Sequence, residues 1–412
     1  MKGREQSVNA MQLMLSWMPA LTAFVLPLHP RLSAISLLIW SLLALPYALL
    51  TTKPRVDGVT QNPLREWIGV GSVLYFVVLA VGMLWTHDME MGWFALEVKS
   101  SMWLMPLLFY IQHTYVLGRV WVKRAIRAFV IGLALYMVYR TGFAVATPGE
   151  MTWRYDGLAG PFHPTYMAAY LLIGMLIYPS DWKGKKIFLI VASLFMGLLA
   201  SKAGWIIGGI ILVWRFAATR WMKKKWEAAW VFACVFLLIG AFMGDAGRMG
   251  ELLKHVPTQS PTAITESLVE GIPEVLTSPQ SGSTAGRLQA WSASWELLKG
   301  HPLGVGTGDV TDELMVVYQD RNAGYALKKR MNPHSAYWQI AVTSGWLGLL
   351  VMLLWWGGAL FQAYRFKAYR MQLFILIILL NGIFESIFEL QQGVVAWTFV
   401  GLMIHAMDVR ED

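Results

Sequence analysis

The sequence predicts an all-α polytopic membrane protein: about twelve transmembrane helices, with a partly helical cap on the outward face. Three observations carry this. The chain of 412 residues is 56% hydrophobic and only 14% charged, more apolar than a soluble core of that size needs. Several apolar runs approach the ~20 residues that cross a bilayer as a helix. None alternates in the roughly ten-residue segments of a membrane β-barrel.

Taken in order, the basic N-terminus MKGREQS runs straight into apolar sequence without a clear small-residue cleavage site. The segment from Val8 to Leu28 is therefore read as a retained span. Spans are expected near 9–28, 33–50, 67–86, 101–117, 124–145, 164–179, 186–201, 203–219, 226–244, 335–358, 371–389 and 392–408. The pair 186–201 and 203–219 nearly abuts and predicts a tight hairpin. Residues 1–244 thus hold transmembrane helices 1–9, residues 245–333 an outward loop or cap domain, and residues 334–412 transmembrane helices 10–12.

Charge sets the orientation. One set of connections carries 21 Lys and Arg residues, among them Arg119–Arg127, Lys183–Lys186, Arg215–Lys225 and Arg365–Arg370. The opposite short connections carry Arg31, Lys99, Arg154 and Lys202, with Arg140 near a helix end. The positive-inside rule places the first set and both termini in the cytoplasm. The net charge of +9 then reads as topology, not as a nucleic-acid footprint. The single cysteine, Cys234, precludes an intrachain disulfide and a cysteine metal site. The long connection from Gly244 to Pro333 faces outward, and helical patterning near Gly286–Lys299 and Asp312–Lys329 predicts a folded cap.

The outward face collects the chemistry-bearing residues. Ser283 or Thr284 can cap a helix whose first turn holds Arg287. A cation is disfavoured by the dipole there, so its placement suggests an anionic partner; a solvated arginine, or one paired with Asp309, is the bland alternative. Met151–Tyr170 offers Arg154, Asp156 and His163 before a helix started by Pro164, or simply an ordinary loop. Lys202 sits at the hairpin tip, where it snorkels to the interface or points at a ligand. Gly304–Gly308 lacks the Lys-Ser/Thr of a phosphate loop and reads as a tight turn that orients the cap. His334 stands at the mouth of the tenth span, with no second His or acid at i+4 to build a metal site.

These residues resemble the O-antigen ligase family, which belongs to the O-antigen ligase/polymerase superfamily of membrane glycosyltransferases. His334-Ser335, nine residues, then Gly345-Trp346-Leu347-Gly348 matches its histidine–GxxG pattern. Gly286-Arg287-Leu288 with Trp291 and His301–Gly306 resembles its second signature. Ser201-Lys202-Ala203-Gly204-Trp205 resembles its hairpin, with lysine in place of the commoner arginine. The resemblance implies a GT-C-like architecture in the bacterial inner membrane, with a periplasmic cap and active site. It implies transfer of a glycan from undecaprenyl diphosphate to lipid A–core oligosaccharide in lipopolysaccharide biosynthesis, inverting, with no metal, ATP or other cofactor and no nucleic-acid partner. His334 is then the candidate general base and Arg287 the leading diphosphate ligand, with Arg154, Lys202, His163 and Tyr337 as glycan or diphosphate contacts and the polar outer turn near Glu385, Glu389, Gln391 and Gln392 as a candidate contact for acceptor sugars. The surrounding cations are expected to favour the neutral imidazole by like-charge repulsion. An O-antigen polymerase or a protein O-oligosaccharyltransferase shares this logic and differs in acceptor. A lipid-linked sugar transporter would instead line an intramembrane path with its charges.

Overall fold

Backbone in a bilayer must satisfy its own hydrogen bonds, and a helix does so within one segment. The computed structural model describes residues 2–51, 67–115, 120–147, 153, 156–179, 181–199, 201–218 and 283–408. Among them the regular elements are all helices. They are α1 (Lys2–Val25), α2 (Pro30–Leu50), α3 (Trp67–Gly82), α4 (Met89–Lys99), α5 (Ser101–Tyr115), α6 (Val120–Ala146), α7 (Asp156–Ala159), α8 (Pro164–Ile177), α9 (Lys185–Leu198) and α10 (Lys202–Ala218). Then come α11 (Ser283–Gly300), α12 (Val310–Asp320), α13 (Gly324–Lys328), α14 (Ala336–Arg365), α15 (Tyr369–Phe384) and α16 (Gln391–Asp408). Eleven of the twelve expected spans coincide with described helices; the one at 226–244 lies outside the described residues. Among the described residues, five segments are long and apolar enough to cross a membrane: Pro30–Leu50, Trp67–Trp85, Met89–Tyr115, Val120–Ala146 and Ala336–Arg365. Leu42, Leu49, Val138 and Phe361 are exposed, an apolar surface suited to lipid and hazardous in water.

Two segments depart from the sequence reading. Residues 87–100 were expected as a connection, yet Met89–Lys99 is helical, started by Asp88, whose side chain accepts from the Met91 N–H. Its charges defeat a hydropathy reading, but Lys99 is buried and its Nζ lies 3.0 Å from Glu389 Oε2. Arg140 is likewise buried in α6, where it donates to the carbonyls of Gly157 and Leu158 and fixes the α7 turn.

The second departure is α14, expected as an unbroken span. It breaks at Ser344 (φ −130°, ψ 16°) and Gly345 (φ 65°, ψ −157°). Contacts with α15 show how sharp the break is. Tyr337 meets Leu379 and Ala363 meets Gln372. A straight α14 would separate Tyr337 from Ala363 by about 39 Å, while their partners stand only about 10 Å apart along α15. The first two turns therefore leave the axis of the rest. The carbonyls of Val342 and Thr343, released from the helix, accept instead from Val305 and Gly306 N–H at 2.8 and 3.1 Å. Trp346 N–H donates to Pro302 in return, at 3.0 Å.

The loop after α11 is thus wedged into the break, and its far end reaches the α3–α4 turn. Thr307 donates through its N–H to Thr86 and through its hydroxyl to the Leu79 carbonyl, while Asp309 accepts from the His87 and Asp88 N–H groups. Asp309 is committed to this turn and does not meet Arg287. A Cβ on Gly345 would lie 2.0 Å from the Pro302 oxygen. Gly345→Ala is therefore expected to lose stability by at least the ~1–3 kcal/mol of a strained positive-φ residue. Thermal unfolding in detergent measures it, and an unchanged midpoint would refute the wedge.

The cap, α11–α13, has a small core of its own, with Ala290, Ala293, Leu297, Leu314, Tyr318 and Ala326 packed on Val342 of α14. Gly286 allows this closeness: a Cβ there would lie 2.6 Å from the Tyr325 ring.

Candidate functional site

The site is assembled where the cap meets one end of the bundle. Trp291, one turn after Arg287 on α11, donates its indole N–H to the Pro333 carbonyl at 3.0 Å. Asn332 Oδ1 accepts the His334 N–H at 2.9 Å, and His334 adopts φ +45°. A left-handed non-glycine residue is uncommon and persists only where its surroundings over-determine it. Ser335 completes the fixation: its N–H donates to Ser386 Oγ and its hydroxyl to the Gly382 carbonyl. Contacts from α11, from the segment before α14 and from the end of α15 thus fix the backbone that carries one imidazole.

At the centre is Glu385, in the turn just beyond α15. Its side chain is 8% exposed. Arg287 Nη2 lies 3.1 Å from Oε1, and His334 Nδ1 lies 3.3 Å from Oε2. His163 Nδ1 is 3.8 Å from Oε1, beyond hydrogen-bond reach. The same His163 nitrogen caps α8, accepting from Thr165 N–H at 3.4 Å. Burial alone would raise the Glu385 carboxyl. The His334 hydrogen bond and the charges of His163, His334 and Arg287 outweigh it and hold the carboxyl below its ordinary range.

The group touching His334 is therefore an anion, opposite in sign to the cations expected there. A carboxylate on Nδ1 selects the tautomer with the proton on Nδ1 and leaves the Nε2 lone pair available as a base.

Glu385 is held in its turn. Lys99 from α4 grips Glu389, and Tyr170 from α8 donates its hydroxyl to the Gln392 carbonyl at 2.9 Å. The starts of α8, α10 and α14 gather around the same point. Ser201 caps α10 through Gly204 N–H and lies 3.5 Å from Thr165 at the start of α8. Helix N-termini carry partial positive charge, so this crown favours an anion.

Of the residues singled out in the sequence, Arg287, His334 and His163 come together. Lys202 is the first residue of α10, in the same crown. Arg154 lies outside the described residues. Tyr337 donates its hydroxyl to the Leu379 carbonyl at 2.9 Å, which ties its ring to α15.

Residues 187–353 match the family model described as O-antigen ligase. The resemblance to the O-antigen ligase family is shown over that stretch. No curated protein matches the chain. That family covers O-antigen ligases and related polymerases, glycosyltransferase-like enzymes of glycan biosynthesis, and the apolar helices of this chain agree with a membrane-embedded protein. Lipid-linked glycans and lipid acceptors are the general substrate class of that family. The matched region holds Lys202, Arg287, His334 and the α14 break. Glu385 and His163 lie outside it, which is why motif spacing did not reveal the carboxylate. The signal for Glu385 was an ionisable residue inside an expected apolar span.

Proposed function

We propose that this chain is an O-antigen ligase acting on the periplasmic face of the inner membrane, within a bundle of twelve spans of GT-C-like architecture. Its donor is a glycan on undecaprenyl diphosphate and its acceptor is lipid A–core oligosaccharide. The observation that carries the reading is the His334–Glu385–Arg287 constellation: an oriented imidazole beside a guanidinium, within a crown of helix N-termini.

In the proposed reaction an acceptor hydroxyl gives its proton to His334 Nε2 as its oxygen attacks the anomeric carbon. The anomeric carbon–oxygen bond breaks, and its electron pair leaves with the diphosphate. Arg287 meets the growing negative charge; a guanidinium has five donors in a fixed fork and stays charged. Direct displacement inverts the anomeric centre. Lys202 and Arg154 support the diphosphate, and His163 and Tyr337 border the glycan. The charge asymmetry of the loops and the gathering of the site at the less basic end support the orientation, with both termini cytoplasmic.

Reconstitution tests the proposal. The purified protein, a polyprenyl-diphosphate glycan and lipid A–core are expected to yield a joined product without ATP. Glycan-to-glycan joining alone would assign a polymerase, and movement of intact donor across the bilayer without joining would assign a transporter. Arg287→Lys in the same assay is expected to lose about 1.5–3 kcal/mol of charge-assisted bonding, roughly ten- to a hundredfold in rate. Normal turnover at equal protein level would remove Arg287 from the diphosphate.

A further inference from the structure

The cap helix α11 has a third face that turns neither to the cap core nor to the site. Leu288, Trp295 and Lys299 occupy it, spaced at helical intervals and exposed. The Trp295 ring lies 6.2 Å from Trp338 and 6.3 Å from Trp346, both on α14, and Lys299 Nζ stands 5.7 Å from its centre. Leu303, next to the wedge, is 66% exposed. Apolar bodies with polar tips are thus collected on one edge of the cap.

This patch does not stop at the cap. Trp346 opens the lower part of α14, and the exposed Leu347, Leu350 and Leu354 continue from it. At the other end of the same helix stand exposed Tyr364 and Phe366 beside Arg365 and Lys367. From Trp346 to Tyr364 the helix rises about 27 Å, close to the ~30 Å of a hydrocarbon layer. Aromatic residues mark the two boundaries of a spanning helix, and lysine and arginine reach from such boundaries to headgroups.

We propose that the Leu288–Trp295–Lys299–Leu303 face rests in the lipid headgroup layer, so that the cap is seated on the membrane. The indoles and leucines meet the acyl boundary, and the Lys299 ammonium meets anionic headgroups. Continuity with the lipid-facing row of α14 names the lipid surface as the occupant. Arg287 lies on the same helix, about 12 Å along its axis from Trp295, so the seat fixes its height against a membrane-held phosphate. The seat stands independently of the transfer reaction.

The test is a depth measurement with no glycan present. On a Cys234→Ala background, a nitroxide is attached at Leu303→Cys, at Leu288→Cys or at the water-exposed Asp312→Cys. The full chain is placed in nanodiscs of phosphatidylethanolamine and phosphatidylglycerol. Labels at 303 and 288 are expected to collide more with dissolved oxygen than with a water-soluble nickel chelate, and the label at 312 the reverse. Equal nickel access at all three positions overturns the seat. Line broadening between labels at 303 would show that a second copy covers the face, and would overturn it too.

Discussion

His334→Ala is expected to reduce glycan transfer by roughly 10²–10⁴-fold, the usual loss for a general base, while donor binding survives. Attack by a neutral sugar hydroxyl is slow unless its proton has somewhere to go, and in the proposed reaction Nε2 of the ring oriented by Glu385 is that acceptor, while donor affinity rests on other groups, Arg287 and the helix N-termini. Donor affinity and turnover, measured on one folded preparation, decide the matter. If both collapse together, His334 is a donor ligand and the base lies elsewhere, with Asp156 the next to test.

The second large effect belongs to Glu385→Gln. The amide keeps the volume of the side chain and removes its charge. Breaking a buried pair by deleting one partner costs about 3–5 kcal/mol. Here the three partners are a quarter to a third exposed, so solvent screening favours the lower end. Turnover should fall by roughly 10²-fold as well, because the ring loses the acceptor that selects its tautomer. The pH dependence has a definite sign. A carboxyl held below its ordinary value of 4.5 contributes stability above that pH, and the contribution is lost as pH falls through the lowered value. The gap in unfolding midpoint between wild type and variant should therefore be steady near neutrality and narrow in acid. A gap that ignores pH would mean that the charge contributes nothing.

The helices at eleven of the expected span positions were legible because hydropathy is a property of each segment alone. The cap helices were legible from local patterning in Gly286–Lys299 and Asp312–Lys329. The bend in α14 was not, because Gly345 in a helical run reads as a tolerated glycine until the loop carrying Pro302 is seen against it. Helix α4 was hidden for a related reason. Lys99 argued against a membrane-embedded position, and the partner that neutralises it, Glu389, is 290 residues away in sequence. His334 and Arg287 could be picked out by spacing and sidedness. Glu385 was legible only as one polar residue of the outer turn with Glu389, Gln391 and Gln392, suited to acceptor sugars; that it joins the two was not, since they stand 98 and 51 residues away in the chain.

The wedge also imposes an order on biosynthesis. Its partners at Leu79 and Thr86 are 228 and 221 residues before Thr307 in the chain. At a synthesis rate of about 5–20 residues per second, the α3–α4 turn waits roughly ten to forty seconds for the segment that completes it. Through that interval the Thr86 hydroxyl and the N–H groups of His87 and Asp88 lack their eventual partners, and α3 through α10 must be inserted without the clamp. A ribosome that stalls before Gly304 would release a chain with most of its helices made and no closure at that end, a natural substrate for membrane quality control.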